Sequence, residues 1–352
     1  MKFLKYFFGL LVSLTVVVLI STRIPAFQDR YFTRAINTLL NSQTELPSDA
    51  LTVIVCGSRS PLPAPGRAEA CILIKAGDSY YIVDSGDGSI SNLRNWRINL
   101  SNVKGVFLTH LHSDHISDLA NLHQGIWIAQ SRSKKLDVYG PKGVSKVTKG
   151  FEAAYEIDFK FRNEHHGDKI APLDIAGYDS HPIDLSNPII IDENGLKVTA
   201  FAVPHDPVKP ALGYRFDYRG RSIVISGDTR YSENLINNAQ DADVLFHEAQ
   251  ANHILKIMEN ASKNAGFDQR AKIFTDILSY HTTPEEAADI ANKANVDHLV
   301  FYHLVPAPRN NLMSKMFVRG VNEIRKDWTI SSDGTMVVLP FNSDEIIISS
   351  IN

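Results

Sequence analysis

The sequence predicts a layered α/β fold, on three observations. Short apolar, β-branched runs alternate with helix-patterned stretches. Five of those runs (106–108, 198–203, 222–226, 244–246 and 298–302) end at or just before groups that bind metal ions, namely His110, His205, Asp228, His247 with Glu248, and His303. Active sites of layered α/β folds collect at the carboxyl ends of strands, so donors repeated at strand ends describe one crevice. Finally, 352 residues, 44% of them hydrophobic, are enough to bury a large core in one domain.

From the N-terminus, Lys2 and Lys5 precede an uncharged stretch that ends at Arg23. A basic start followed by an apolar run is the layout of an export signal or a signal-anchor, and the 17 residues between Lys5 and Arg23 lie at the lower limit for spanning a bilayer. No small-x-small cleavage site follows, which favours an anchor. Either outcome puts the main domain outside the cytoplasm, in the periplasm of a bacterium. Phe27, Tyr31, Ala35, Ile36, Leu39 and Leu40 recur at helical spacing, so an amphipathic helix is expected there, followed by a polar linker with Pro47. The organisation expected is a signal or anchor over 1–22, a helix and linker over 23–49, and the main domain over 50–345.

That domain opens with strands over 51–56, 70–75 and 80–83, the last ending at Asp84, a turn carboxylate or one standing behind a ligand. Cys56 and Cys71, the only cysteines, lie in the first two of these runs; they either pair or remain two buried thiols. A helix is expected over 116–130, with His115 near its start and Asp118 and His123 as surface or packing residues. A strand over 136–139 and a helix over 151–161 follow, the latter leading to His165 and His166. Thr283 and Glu286 form a capping box with Pro284 at the first helical position, which fixes His281 in the loop just before a helix.

Three imidazoles and a carboxylate fall within the six residues His110-Leu111-His112-Ser113-Asp114-His115. His110 and His112 can face one metal ion while Asp114 and His115 face a second about 3.5–4 Å away, the separation used by two-metal hydrolases. This His-x-His-x-Asp-His string after a strand, followed in order by His205, Asp228 and His303, resembles the metallo-β-lactamase superfamily. The resemblance implies a four-layer αββα sandwich, two mixed β-sheets flanked by helices, and two zinc ions. His110, His112 and His205 would hold one ion, Asp114, His115 and His303 the other, and Asp228 would bridge them; manganese or iron also suit these donors. Aspartate rather than cysteine at the bridging position speaks against β-lactam hydrolysis. His247-Glu248-Ala249 and the run 280–288 are similar to ribonuclease Z and its relatives. That similarity implies a metal-bound hydroxide as nucleophile, Asp114 as its proton acceptor, and His281, oriented by Glu248, as proton donor to the leaving oxygen.

For the substrate, residues 151–200 hold ten Asp or Glu against four Lys or Arg, and the net charge is -3. An acidic face would repel a phosphate backbone, which speaks against nucleic acid, as does an export signal. The His165-His166-Gly167 segment resembles an exported, arylsulfatase-like branch of the superfamily, and Arg59 in the loop 57–60 is a candidate contact for a small anion. The sequence therefore leads to the expectation of a membrane-anchored or exported zinc hydrolase of small phosphate or sulfate esters, with Arg59, His165 and His166 near the substrate and a homodimer as in relatives. The alternatives are tRNA 3′ processing of the ribonuclease Z type and a non-catalytic membrane-tethered binding module.

Overall fold

Runs of β-branched and aromatic side chains long enough to be covered on both faces set the strands of this chain, seen in a computed structural model that describes residues 2–40, 42–128 and 133–351. The first elements are α1 (Lys2–Ser21), α2 (Pro25–Leu40), β1 (Ala50–Gly57), β2 (Cys71–Ala76), β3 (Ser79–Val83), α3 (Ser89–Asn95), β4 (Val103–Phe107), α4 (Ser113–Ile116), α5 (Leu119–Ile128), β5 (Leu136–Gly140), α6 (Val144–His166) and β6 (Tyr178–Pro182). Next come β7 (Ile189–Glu193), β8 (Leu196–His205), β9 (Val208–Tyr218), β10 (Arg221–Ile225), α7 (Glu233–Asn238), β11 (Val244–Gln250), α8 (Asn252–Asn264), α9 (Asp268–Asp276) and α10 (Pro284–Lys293). The chain closes with β12 (His298–Val305), α11 (Asn311–Phe317), α12 (Val321–Ile324), β13 (Trp328–Ile330), β14 (Thr335–Pro340) and β15 (Ile347–Ser350).

Two compact units result, Met1–Glu45 with Arg97–Asn99, and Leu46–Trp96 with Leu100–Asn352. In the smaller one, α2 is helical as its spacing predicts and has no buried residue. The Thr44 amide donates to the Arg97 carbonyl at 3.3 Å. Among the described residues no helix is long and apolar enough to cross a membrane, which corrects the expected spanning anchor. A stretch of 17 uncharged residues starts at the lower limit for a span.

In the larger unit an eight-stranded sheet runs β15-β14-β1-β2-β3-β4-β5-β6 and a seven-stranded sheet runs β13-β12-β11-β10-β9-β8-β7. Both are mixed: β3 to β6 and β10 to β13 pair in parallel, the remainder antiparallel. Between the sheets lies one core, centred on Phe107, whose ring stacks on Tyr139 at 5.0 Å and meets Tyr214 and Phe216 edge-on at 5.4 and 5.5 Å. A second core holds α7, α10 and α11 against the seven-stranded sheet through Leu245, Phe301, Ala287, Ala291 and Phe317. A third, around Trp127, Phe159 and Ala176, joins α5 and α6. The result is the expected four-layer sandwich.

Several boundaries differ from the sequence reading. The helix expected over 116–130 begins at Ser113, breaks after Ile116 and resumes at Leu119; Ala129 and Gln130 lie outside the described residues. The break lets the Asp118 carboxylate accept from the Ile90 amide and the Asn121 side chain. α6 runs from Val144 through His166, so the paired histidines close a helix and do not sit in a loop. Cys56 and Cys71 form a disulfide that ties β1 to β2.

Gly213 on β9 is required by close approach: a Cβ there would lie 2.5 Å from the Phe201 ring and 3.0 Å from the Ile225 carbonyl oxygen. Gly213→Ala is expected to lose about 1–3 kcal/mol of stability, the usual range for overpacking a tight core. Urea unfolding of the two proteins measures it; an unchanged midpoint would show that the strands can spread.

Candidate metal centre

Strand ends deliver the donors. β4 leads into Thr109 and His110, β8 finishes on His205, β10 runs into Gly227-Asp228, and β11 and β12 carry Glu248 and His303 within their last turns of pleat. A register shift after Val203 leaves β8 paired through His205, and one after Glu248 keeps β11 paired beyond its donor. Asp114 and His115 come from α4, directly after His112. Gly227, at φ 61°, makes the turn into Asp228; a Cβ there would meet the Leu212 carbonyl at 2.4 Å.

The side chains converge on Asp228, which is 2% exposed. Its Oδ2 lies 3.4 Å from His303 Nε2, 3.5 Å from His115 Nε2, 3.9 Å from both His110 Nε2 and His205 Nε2, and 4.0 Å from His281 Nδ1. Four sets have ligand atoms all within 4.8 Å of one another: His110, His112 and His205; Asp114, His115 and His303; His110, His115 and Asp228; Asp228, His281 and His303. Asp228 is shared by the last two, so it stands between the first and the second triad.

Second partners aim the rings. The Asp84 carboxylate binds His115 Nδ1 at 2.8 Å and accepts from the Thr109 amide and hydroxyl, both at 2.8 Å. The Tyr280 carbonyl accepts from His205 Nδ1 at 3.3 Å, and the Tyr280 ring lies 4.0 Å from that of His205. Each contact turns the opposite nitrogen, Nε2, toward the cluster. Asp84 and His303 hold left-handed backbone, φ 59° and 44°, a conformation that costs a non-glycine residue roughly 1–3 kcal/mol and gathers at functional sites.

Electrostatics separate the two triads. Burial holds His110, His112 and His205 below the ordinary histidine range, His205 at about 4, so all three are neutral as ligation requires. His115 behaves oppositely: burial works against its charge, yet Asp228, Asp84 and Asp114 together raise it well above that range. Burial also opposes ionisation of Asp114, but His115 and His303 bring it down to about 2. Three carboxylates packed among imidazoles call for positive charge, from protons or from cations. His115 Nε2, His205 Nε2 and Asp228 Oδ1 are buried with no hydrogen-bond partner, and such atoms are costly unless something coordinates them. Nitrogen and oxygen donors in these groups fit zinc, and also manganese or iron.

Glu248 and His281 stand beside the cluster. Glu248 Oε1 lies 3.2 Å from His281 Nδ1 and accepts from the Thr282 amide at 2.9 Å and the Thr229 amide at 3.3 Å. Thr283 closes the capping box, its hydroxyl accepting from the Glu286 amide while Glu286 accepts from the Thr283 amide. His247 turns away, its Nδ1 donating to the Glu248 carbonyl at 2.7 Å.

A cavity of about 310 Å³ opens over His112, Asp114, Asp228, His281 and His303. Tyr280, from the run 280–288, lines it together with Pro61, Leu62, Ile273 and Ile277, four apolar neighbours that no motif marks. A larger cleft of about 730 Å³ lies among the opposite strand ends, near Val103 and Asp137, and contains none of these donors. Arg59, His165 and His166 do not line the 310 Å³ cavity. The Arg59 guanidinium is engaged by Glu69 at 2.9 Å and Asp87 at 3.7 Å, and the two histidines are exposed at the far end of α6.

Residues 80–304 match the beta-lactamase superfamily domain. Ribonuclease Z of Mycobacterium bovis (strain BCG / Pasteur 1173P2) is 31% identical over 261 residues, 73% of this chain and 87% of that protein. Among solved structures, human tRNase Z, short form, aligns with a TM-score of 0.59 at 20% identity, over 82% of this chain and 99% of that one. The metallo-beta-lactamase fold protein YhfI from Bacillus subtilis aligns with a TM-score of 0.58 at 19% identity, over 82% and 100%. At such identity these two structures bear on the fold alone.

The relatives correct three expectations. A small phosphate or sulfate ester as substrate, arylsulfatase-like, is overturned by relatives in sequence named ribonuclease Z, and so is the reading against nucleic acid. The acidic stretch misleads because of where it folds: none of its residues borders the 310 Å³ cavity, and some of its charges are paired locally, as Asp158 with Arg162 and Glu156 with Lys160. The membrane-anchored or exported placement falls with them, given a ribonuclease Z relative and, among the described residues, no spanning helix.

Asp84→Asn keeps the shape and removes the charge behind His115. Zinc affinity is expected to fall about 10- to 100-fold, the usual effect of losing such a partner, as read by competition with a chromogenic chelator. Wild-type affinity in the variant would show that Asp84 serves only the Thr109 turn.

Proposed function

The chain belongs to the metallo-β-lactamase superfamily, and on that premise we propose that it is a metal-dependent endonuclease of the ribonuclease Z type, which cuts a phosphodiester at the 3′ end of precursor tRNA. The observation that carries this reading is the 31% identity to a ribonuclease Z over 73% of the chain. His110, His112 and His205 would hold one divalent ion, Asp114, His115 and His303 a second, and Asp228 would be shared between them. When bound, two zinc ions supply Lewis-acid neutralisation of the phosphoryl oxygens and make water a nucleophile at neutral pH.

The chain's own groups manage the protons. Asp114, ionised at neutral pH because His115 and His303 outweigh its burial, accepts the proton of the attacking water. Phosphorus then gains the water oxygen and loses the ribose oxygen, which needs a proton to leave. His281 provides it. Burial disfavours its charge, but Glu248, with Asp228 and Asp114, more than compensates and raises its pKa above the ordinary histidine value, which favours the protonated form that a donor needs. The Thr282 and Thr229 amides hold Glu248 in place for that task.

Zinc-loaded protein is expected to cut precursor tRNA once, at the 3′ trailer, and to stop when a chelator is added. Protein with two bound metals that leaves precursor tRNA intact would sink the reading. His281→Ala should lower kcat about 10²- to 10⁴-fold with metal content unchanged; loss of metal along with activity would point to a ligand and not a proton donor.

The pH profile gives an independent check. Activity needs protonated His281, so it declines as pH rises through that raised pKa. Glu248→Gln removes the charge that raises it, and the alkaline limb of kcat should move to lower pH. A limb that stays put would detach His281 from the proton transfer.

A further inference from the structure

The walls of the 310 Å³ cavity do not suit the backbone of a nucleic acid. Phosphates are ordinarily met by lysine, arginine, or amide donors, yet among the described residues no Lys or Arg lines this cavity. Instead it is lined by Pro61 and Leu62, from the loop after β1, and by Ile273 and Ile277, from α9 and the turn that follows it. Leu62 and Ile277 are braced by the small core of Leu255, Phe274 and Val305, so these walls are built on packed elements. Ile273 sits on α9 and is nevertheless 55% exposed. An isoleucine left that open beside a reaction centre gains from a partner that covers it.

We infer that this apolar slot takes one nucleobase next to the scissile phosphate, extruded from its stack and held between the Leu62 wall and the Ile273–Ile277 wall. The inference rests on the RNA-cleaving reading and adds to it which substrate feature is recognised at the reacting bond. A volume of about 310 Å³ lies at the small end of ligand pockets, room for one nucleoside and too little for a base pair. A base out of its stack offers the flat apolar face these side chains match, and such contacts discriminate little between base identities. His112, Asp114, Asp228, His281 and His303 line the same cavity, so a base in the slot brings its own phosphate to Asp114, Asp228 and His281. Base burial thus positions the reacting bond, while no cation from the protein surface is needed there.

The test uses zinc-loaded full-length protein and precursor RNAs that carry, in turn, an abasic residue on the 5′ or the 3′ side of the cleavage point. Wild type is expected to prefer the base-bearing RNA over one of the two abasic forms by about tenfold in kcat/KM, the scale of one buried base. In Ile273→Ala that preference should shrink toward one, and Ile273→Leu should restore it. Ile273 is exposed, so neither change threatens the fold, and zinc content is measured alongside. Cleavage of every RNA with no preference, or a preference that survives Ile273→Ala, overturns the slot while leaving the ribonuclease reading intact. Failure to cleave any RNA overturns both.

Discussion

One buried carboxylate surrounded by imidazoles governs this molecule. Asp228 Oδ2 has nitrogens of five histidines within 4.0 Å, and those histidines come from positions spread between residues 110 and 303. Removing so many polar groups from water is costly unless each finds charge or a hydrogen bond inside. Much of the surrounding structure answers that demand. Two parallel stretches of sheet end side by side, the donors leave the strands at those ends, and the cores around Phe107 and Leu245 keep the ends from drifting.

The way each ring is aimed follows from the same demand. Asp84 fixes His115, the Tyr280 carbonyl fixes His205, and Glu248 stands against His281. Asp84 and Glu248 are themselves fixed by backbone amides, so that part of the site is held two layers deep. Left-handed backbone at Asp84 and His303 is conformational strain that the packed sheets around it sustain. Neutral imidazoles in one triad and a carboxylate-rich second triad make the two halves of the site chemically unlike. In the proposed reaction that asymmetry would put the proton-accepting side at Asp114 and the proton-donating side at His281, across the same carboxylate.

Function is grafted on this scaffold at the rim. A shared fold is compatible with many substrates, and the acidic composition of residues 151–200 pointed away from nucleic acid when read along the chain. Folding disperses those charges over α6, β6, β7 and their connections, away from the cavity. What borders the reaction centre is apolar and is drawn from two segments more than two hundred residues apart. Charge counted along a sequence describes a surface only when the chain order and the surface order coincide.

Much of the site was legible before folding. The dense string from His110 to His115, the donors at the ends of apolar runs, and the capping box at Thr283 are local patterns, and local patterns are what a sequence can carry: strand alternation, metal-donor type and helix starts depend on near neighbours. The four-layer class followed from them through resemblance. Tertiary structure alone decided the rest. It paired Cys56 with Cys71, extended α6 through the histidine pair, and engaged Arg59 with Glu69. It also brought Leu62 and Ile273 to one cavity. Those outcomes depend on which distant segments share a layer, and no spacing along the chain encodes that, because it is the burial of the two sheets against each other that brings the segments together.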